Sequence, residues 1–412
     1  MALDVGKLRR QFPSLDLKDG GKPRIYLDNP AGTQAPIPVI ERMKACLIEA
    51  NANLGGGFAT SQKAEALVKG ARAAMADFLG AQGPQEIIFG ANMTTLTFHI
   101  ARSIGRICQP GDDIILARMC HDANVQPWRM LAEDLRLNVK WLDFNPETYE
   151  YDPAALDGLL SARTRLVAIG YASNVLGTIN PVKAVCAKAR AAGALSYVDA
   201  VHYAPHGAID VAALGCDFLA CSVYKFYGPH VGVLYGRAAA LQALTPYKVR
   251  PAPDAIPECF ETGTQNHEGL AGTLGAIDYL ESLGKTTLNT RRARLVDAMN
   301  QIAAYETGLA WRLIDGLAAL PGLDIHGLTQ RHQAARRAPT VSFTTRQKSP
   351  RELAAALAAE NIFAWAGHSY AIEPLRALGL LEGGGVLRLG IAHYNTAEEV
   401  DRTISVVASQ LR

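Results

Sequence analysis

The stretch ALSYVDAVHYAPHGAIDVAALGCDFLACSVYKFYGPHVGVLYG (194–236) decides how the chain is read. ALSYVDA (194–200) has the composition of a buried strand and closes on Asp199, with His202 just beyond. FLACS (218–222) is a second such strand, and Lys225 follows it among Tyr224, Phe226 and Tyr227, ahead of a Gly228-Pro229 turn. VGVLYG (231–236) is a third. A lone lysine is ordinarily a solvated surface charge, and a strand-end carboxylate is ordinarily a cap or loop contact. An apolar strand and an aromatic surround are a poor setting for a surface amine. Burial would lower the lysine pKa and favour Schiff-base chemistry.

Working outward, helical and strand patterns alternate from about residue 62 to 290. QKAEALVKGARAAMADFLG (62–80) has helical periodicity with Gly80 as its C-cap. EIIFG (86–90), DIILA (113–117), NVKWLDF (138–144) and RLVAIGY (165–171) read as further strands. Several are apolar throughout, as strands covered on both faces of a mostly parallel sheet are. Spacings of about 20–30 residues with helices between suit βαβ crossovers. The fold class expected is therefore α/β, a large domain with a mostly parallel sheet flanked by helices.

After about residue 275 the pattern becomes α+β. A long helical stretch (292–320) precedes PTVSFTT (339–345), RELAAALAAENI (351–362) and GVLRLGIA (385–392). The expected division is a large domain over 25–275 and a smaller one formed by 1–24 and 276–412. The glycine-rich stretches LGGGF (54–58) and EGGG (382–385) do not form a dinucleotide fingerprint after a strand.

The chain has 412 residues, 49% of them hydrophobic and 19% charged, with a formal net charge of +2, so neither nucleic acid nor an anionic membrane is an expected partner. No apolar run reaches the roughly 18 residues of a membrane span, and the first residues lack the apolar core of a secretory signal. The seven cysteines are scattered without metal-ligand spacing. Reduced thiols, a cytoplasmic location and no metal are expected.

An acid and a lysine 26 positions apart, each closing a strand, are the pair that pyridoxal 5′-phosphate (PLP) requires. The carboxylate keeps the pyridine nitrogen protonated, and the lysine forms the Schiff base and moves protons. The whole segment 199–236 resembles the cofactor segment of group II cysteine desulfurases and selenocysteine lyases, within the class V aminotransferase superfamily. YLDNPAGTQAP (26–36), CHDANVQPW (120–128), SNVLGTINP (173–181), ETGTQN (261–266) and LRLGIAHYNT (387–396) resemble further motifs of these proteins, in the same order.

The resemblance implies fold type I of the PLP-dependent transferases and a role for each matching residue. Lys225 would carry the cofactor, Asp199 would face the pyridine nitrogen, and His121 would stack on the ring. Asn174 and His202 would reach the phenolic oxygen, His202 standing where relatives have glutamine, and Asn174 would also contact the substrate. Thr94 and Ser222 would donate to the phosphate, Thr94 at the start of a helix whose amides add to the site. Thr264 would reach the phosphate of a neighbouring subunit, implying a homodimer with shared sites. Arg388 would clamp the α-carboxylate of an amino acid. Taken singly, Asn174 reads as a turn residue, Thr94 as an N-cap, Arg388 as an ion-pair partner and His121 as a core or loop histidine.

The substrate-facing motifs depart from the resemblance. WAGHSYAIEPL (365–375) has Tyr370 where the desulfurases place their catalytic cysteine and Trp365 where they place an arginine, and no cysteine follows Cys259. Gly55-Gly56-Gly57-Phe58 replaces a segment with two basic residues, and Tyr224 replaces a histidine. A persulfide mechanism needs a thiolate. The expectation is therefore an enzyme that binds an amino acid as an external aldimine, desulfurase-like but without the persulfide-forming cysteine. It would be a lyase of the desulfinase, C–S or selenocysteine type. An aminotransferase with a keto-acid acceptor and a non-catalytic binding protein are the alternatives. Phe58, Trp365 and Tyr370 point to a larger or less acidic substrate side chain.

Overall fold

The computed structural model describes residues 3–411. Its centre is a seven-stranded sheet of β1 (Ile87–Gly90), β2 (Asp113–Ala117), β3 (Asn138–Leu142), β4 (Thr164–Gly170), β5 (Leu195–Asp199), β6 (Phe218–Ser222) and β7 (Gly232–Gly236). The spatial order is β1-β7-β6-β5-β4-β2-β3. Only β7 runs against the rest, pairing antiparallel with both β1 and β6. DIILA is buried at every position, whereas the edge strand NVKWL is exposed or half-buried at all but Leu142. That contrast is what central and edge places in such a sheet impose.

The helices most relevant to the site are α1 (Ile37–Glu49), α2 (Ala59–Leu79), α3 (Met93–Gly105) and α4 (Gln126–Leu135). α2 ends where the sequence expects, on Gly80 at φ 70°, a left-handed conformation that costs glycine little. Among the strands the observed limits lie within one or two residues of those read from sequence. Glu86 is spent in a preceding 3₁₀ turn, and Asp143 and Phe144 lie beyond β3.

A second, four-stranded antiparallel sheet has the order β8-β9-β11-β10, from β8 (Leu323–His326), β9 (Thr340–Thr345), β10 (Trp365–Gly367) and β11 (Val386–Gly390). The sequence reading missed β8 and β10. Both are short, and β10 carries only three residues, Trp-Ala-Gly, too few for an alternation to show. The long helix α5 (Arg291–Ala318) joins the two apolar cores: Leu295, Met299 and Ile302 pack in the larger, Leu309, Leu313 and Leu317 in the smaller. Ile25 and Leu27 also lie in the smaller core, and Leu8, Phe12 and Leu15 in the larger. Among the described residues no helix is long and apolar enough to cross a membrane.

The topology gathers chemistry at one edge. β1, β2, β4, β5 and β6 run parallel, so their C-terminal ends share a side. Thr94, His121, Asn174, Asp199, Ser222 and Lys225 lie on or just after those ends. Open α/β sheets bind ligands there. Arg388 arrives from β11 of the other sheet.

Candidate active site

Thr94, His121, Asn174, Asp199, His202, Ser222, Lys225 and Arg388 line a single cavity of about 1070 Å³, between the strand ends and the second sheet. Thr264 does not. It is exposed, on a segment that Glu261 ties to the large sheet by a buried ion pair with Arg72 and by accepting the Phe89 N–H at 2.8 Å.

Lys225 sits in a 3₁₀ turn directly after β6. Its Nζ donates to the carbonyls of Pro30 (2.5 Å) and Ala31 (2.9 Å) and lies 4.8 Å from the centre of the Tyr224 ring. Burial, reinforced by the Arg388 charge and opposed by Asp28 and Asp199, brings its pKa down to about 7. An amine so poised is neutral in a large fraction at physiological pH and can act as a nucleophile and base.

Asp199 is held by one hydrogen bond, Oδ1 accepting the Val201 N–H at 2.9 Å. Burial lifts its pKa to about 6, against that hydrogen bond and the Lys225 charge. Among the described residues it has no ion-pair partner. A buried carboxylate without a cation is costly, and a protonated pyridine nitrogen is the cation such a site lacks.

The remaining polar groups fit the same guest. Asn174 Nδ2 donates to the Ser369 carbonyl at 2.8 Å while its Oδ1 has no partner. Arg388 is buried, donates to the Asn174 carbonyl (3.2 Å) and Asp28 (3.3 Å), and leaves Nε without a partner. Burial lowers the Arg388 pKa despite Asp28, and raises that of Asp28 despite Arg388. His121 Nδ1 accepts the Ala123 N–H at 3.0 Å. Burial, with the Lys225 and Arg388 charges, pushes its pKa down to about 3, so the ring is neutral. His202, pushed well below the usual histidine range mainly by burial, is 3.0 Å from the Thr340 hydroxyl.

The first turn of α3 opens on the same cavity. Asn92, not Thr94, caps this helix by accepting the Thr95 N–H at 2.8 Å, because the backbone at 92 is already extended. Thr94 lies inside the first turn, where helix amides and dipole favour an anion. Ser222 Oγ accepts the Met93 N–H at 3.0 Å and so ties the end of β6 to that turn. Gly232 permits the approach, since a Cβ there would come within 2.4 Å of the Asn92 carbonyl carbon.

Four contacts of the site carry no role in the sequence reading. Asp28 orients Arg388, the carbonyls of Pro30 and Ala31 hold Lys225, Tyr224 stacks on His230 at 4.8 Å, and Ser369 anchors Asn174. YLDNPAGTQAP was the available signal for the first two. Backbone carbonyls leave no trace in side-chain identity.

Comparison with known proteins agrees with this geometry. The family model for class-V aminotransferases matches residues 25–403. The chain is 33% identical to a cysteine desulfurase of Pectobacterium carotovorum, covering 98% of this chain and 97% of that protein. It is 35% identical to the aminotransferase-like protein FGM3 of Gibberella zeae, with 98% and 97% covered. The apo structure of a cysteine desulfurase from Thermococcus onnurineus superposes with a TM-score of 0.88 at 28% identity, covering 99% of this chain and 98% of that one. The Escherichia coli cysteine desulfurase CsdA gives 0.85 at 28% identity, with 100% and 99% covered. The chain belongs to the class-V aminotransferase family and is a PLP-dependent enzyme.

Proposed function

We propose that the enzyme acts on an α-amino acid, with Lys225 carrying the cofactor, and that it is a desulfurase-like lyase with no persulfide-forming cysteine. The observation that carries this reading is the make-up of the cavity: Lys225, Asp199 and Arg388 line it together, and no cysteine does. All seven cysteines are buried. Cys120 adjoins His121 and packs against Gly170, whose N–H it accepts at 3.1 Å; burial, with the Asp199 charge, pushes its thiol up to about 12. A thiol so protonated is a poor nucleophile.

PLP, when bound, supplies an electron sink for bonds at the substrate Cα. Asp199 would hold a proton on the ring nitrogen, and His121 would pack on the ring. Asn174 and His202 would hydrogen-bond the phenolic oxygen, and Thr94, Ser222 and the first turn of α3 would hold the phosphate. Arg388 fixes the substrate carboxylate, and Lys225, near neutrality as a free amine, moves a proton at Cα. We place Thr264 on the phosphate of a second copy, because it lies off the cavity of its own chain, and take the enzyme to be a cytoplasmic homodimer.

The test is turnover of an amino-acid panel by purified holoenzyme, with and without an added keto acid. A lyase turns over and releases its leaving group with no acceptor present. Turnover only in the presence of a keto acid, with ping-pong kinetics, would replace this reading with an aminotransferase, and no turnover of any kind would leave a binding protein.

A further inference from the structure

We infer that the substrate is an amino acid with a large apolar or aromatic side chain, received between Trp365 and Tyr370; this rests on Arg388 being the carboxylate clamp. The inference starts from register. β10 pairs antiparallel with β11 so that Trp365 lies directly opposite Arg388. Paired residues send their side chains to the same face about 5 Å apart. The indole therefore stands beside the guanidinium, at the place where a clamped amino acid must direct its other substituents.

Tyr370 reaches the same place from the other side. Arg388 donates to the Asn174 carbonyl at 3.2 Å, and Asn174 Nδ2 donates to the carbonyl of Ser369 at 2.8 Å. The next residue is Tyr370, whose ring stacks on His121 with centroids 5.4 Å apart and planes at 29°. Ser369 and Tyr370 both occupy the left-handed region, at φ 48° and 55°, which bulky residues avoid. The turn is held there by three hydrogen bonds: Asp122 N–H to the Tyr370 carbonyl (2.8 Å), Tyr370 N–H to His368 Nδ1 (3.0 Å) and Ala371 N–H to the His368 carbonyl (2.7 Å). The backbone is fixed in this way, and the ring it carries packs on His121 along the cavity wall.

Two aromatic rings of the cavity lining are more than half open to solvent, Trp365 at 53% and Tyr370 at 64%, and Phe98 is open at 39%. Covering them with an apolar substituent removes their surface from water. Acidic side chains find no free fixed cation. Of the basic groups in the lining, Lys225 and Arg388 are already engaged, burial holds His121 and His202 neutral, and His230 is stacked on Tyr224. Asp122 adds a negative charge to the same wall. Phe58 is not part of the lining formed by its own chain; its ring lies against its loop at Gly56.

The test is titration of the holoenzyme with L-phenylalanine, L-norleucine, L-alanine, L-cysteine and L-aspartate, read by the change in cofactor absorption. Phenylalanine or norleucine should bind at least about tenfold more tightly than alanine, as a well-formed apolar pocket discriminates, and aspartate most weakly. In Trp365→Ser and Tyr370→Ser the ratio of phenylalanine to alanine affinity should fall to within about threefold. Aspartate or cysteine binding as tightly as phenylalanine, or an unchanged ratio in both variants, overturns the inference. Arg388→Lys separates the two layers. If it weakens all five amino acids while the ranking is flat, the clamp stands and the aromatic pocket fails; if it weakens none, the clamp reading itself fails and takes the inference with it.

Discussion

The floor and the mouth of the cavity are built to opposite rules. On the floor, Asp199, His202, Ser222 and Arg388 are buried, each polar group is placed by a strand end or a hydrogen bond, and pKa values are moved far from their ordinary ranges. At the mouth, Trp365 and Tyr370 are more than half exposed, and no cysteine lines the cavity. The floor sets what kind of chemistry is available, through proton affinities that burial fixes. The mouth sets which molecule receives it. A chain can therefore keep its cofactor chemistry while its substrate-facing wall is rebuilt, and the two regions have to be tested separately.

The most severe perturbation of the floor is Lys225→Ala. Wild-type protein should be yellow and give, after borohydride reduction, a pyridoxyl adduct that peptide mapping places on Lys225; the variant should give none. An adduct on another lysine breaks the assignment outright.

Arg388→Lys addresses the seam between floor and mouth. A point charge cannot reproduce a two-pronged guanidinium–carboxylate contact, and the loss of about 2–3 kcal/mol corresponds to amino-acid affinity lower by roughly 30–150-fold. Cofactor affinity, measured by dialysis and re-addition, should change far less. Release of PLP with amino-acid affinity intact would make Arg388 part of the cofactor site and not the substrate clamp.

A smaller effect follows from Lys225 in the apoprotein. With its pKa lowered to about 7, the amine is protonated below that value and free above it. The rate of cofactor capture should rise with pH and reach half its plateau near 7. A midpoint near that of an ordinary lysine would mean that the buried setting does not act on the amine.

The subtlest effect concerns Asp199, raised to about 6 by burial. Between its ordinary value near 4 and about 6, the folded apoprotein keeps this proton after the unfolded chain has lost it. The stabilisation this provides is full below the unfolded value and is lost as pH rises through 6. Asp199→Asn removes that pH dependence, a difference on the order of 1–2 kcal/mol across the window. Thermal melts of the two apoproteins at pH 4.5 and 7.5 measure it; parallel curves would show that the carboxylate is already compensated in the free protein.

How much of this was legible in the sequence depends on where the information sits. Buried strands such as DIILA and FLACS declare themselves, because both faces must be apolar. Lys225 and Asp199 stand out because chemistry-bearing residues follow such strands. β8 and β10 were illegible: short edge elements are held by neighbours and leave no periodicity. The placement of Trp365 against Arg388 is a matter of register between segments more than twenty residues apart, which no local pattern encodes. The set of Pro30 and Ala31 carbonyls is invisible for the same reason, since any residue could supply them. The mouth was legible only as the substitutions at Phe58, Trp365 and Tyr370, of which Trp365 and Tyr370 line this chain's cavity.

Cofactor chemistry without a sulfur-accepting nucleophile is put to the test by giving holoenzyme L-cysteine, trapping protein persulfide with an alkylating reagent and mapping it by mass spectrometry. The expected result is no persulfide on any of the seven cysteines, all of them buried and none lining the cavity. Stoichiometric persulfide on Cys120, with desulfurase turnover abolished in Cys120→Ser, would contradict the claim and make the protein a desulfurase with a relocated nucleophile.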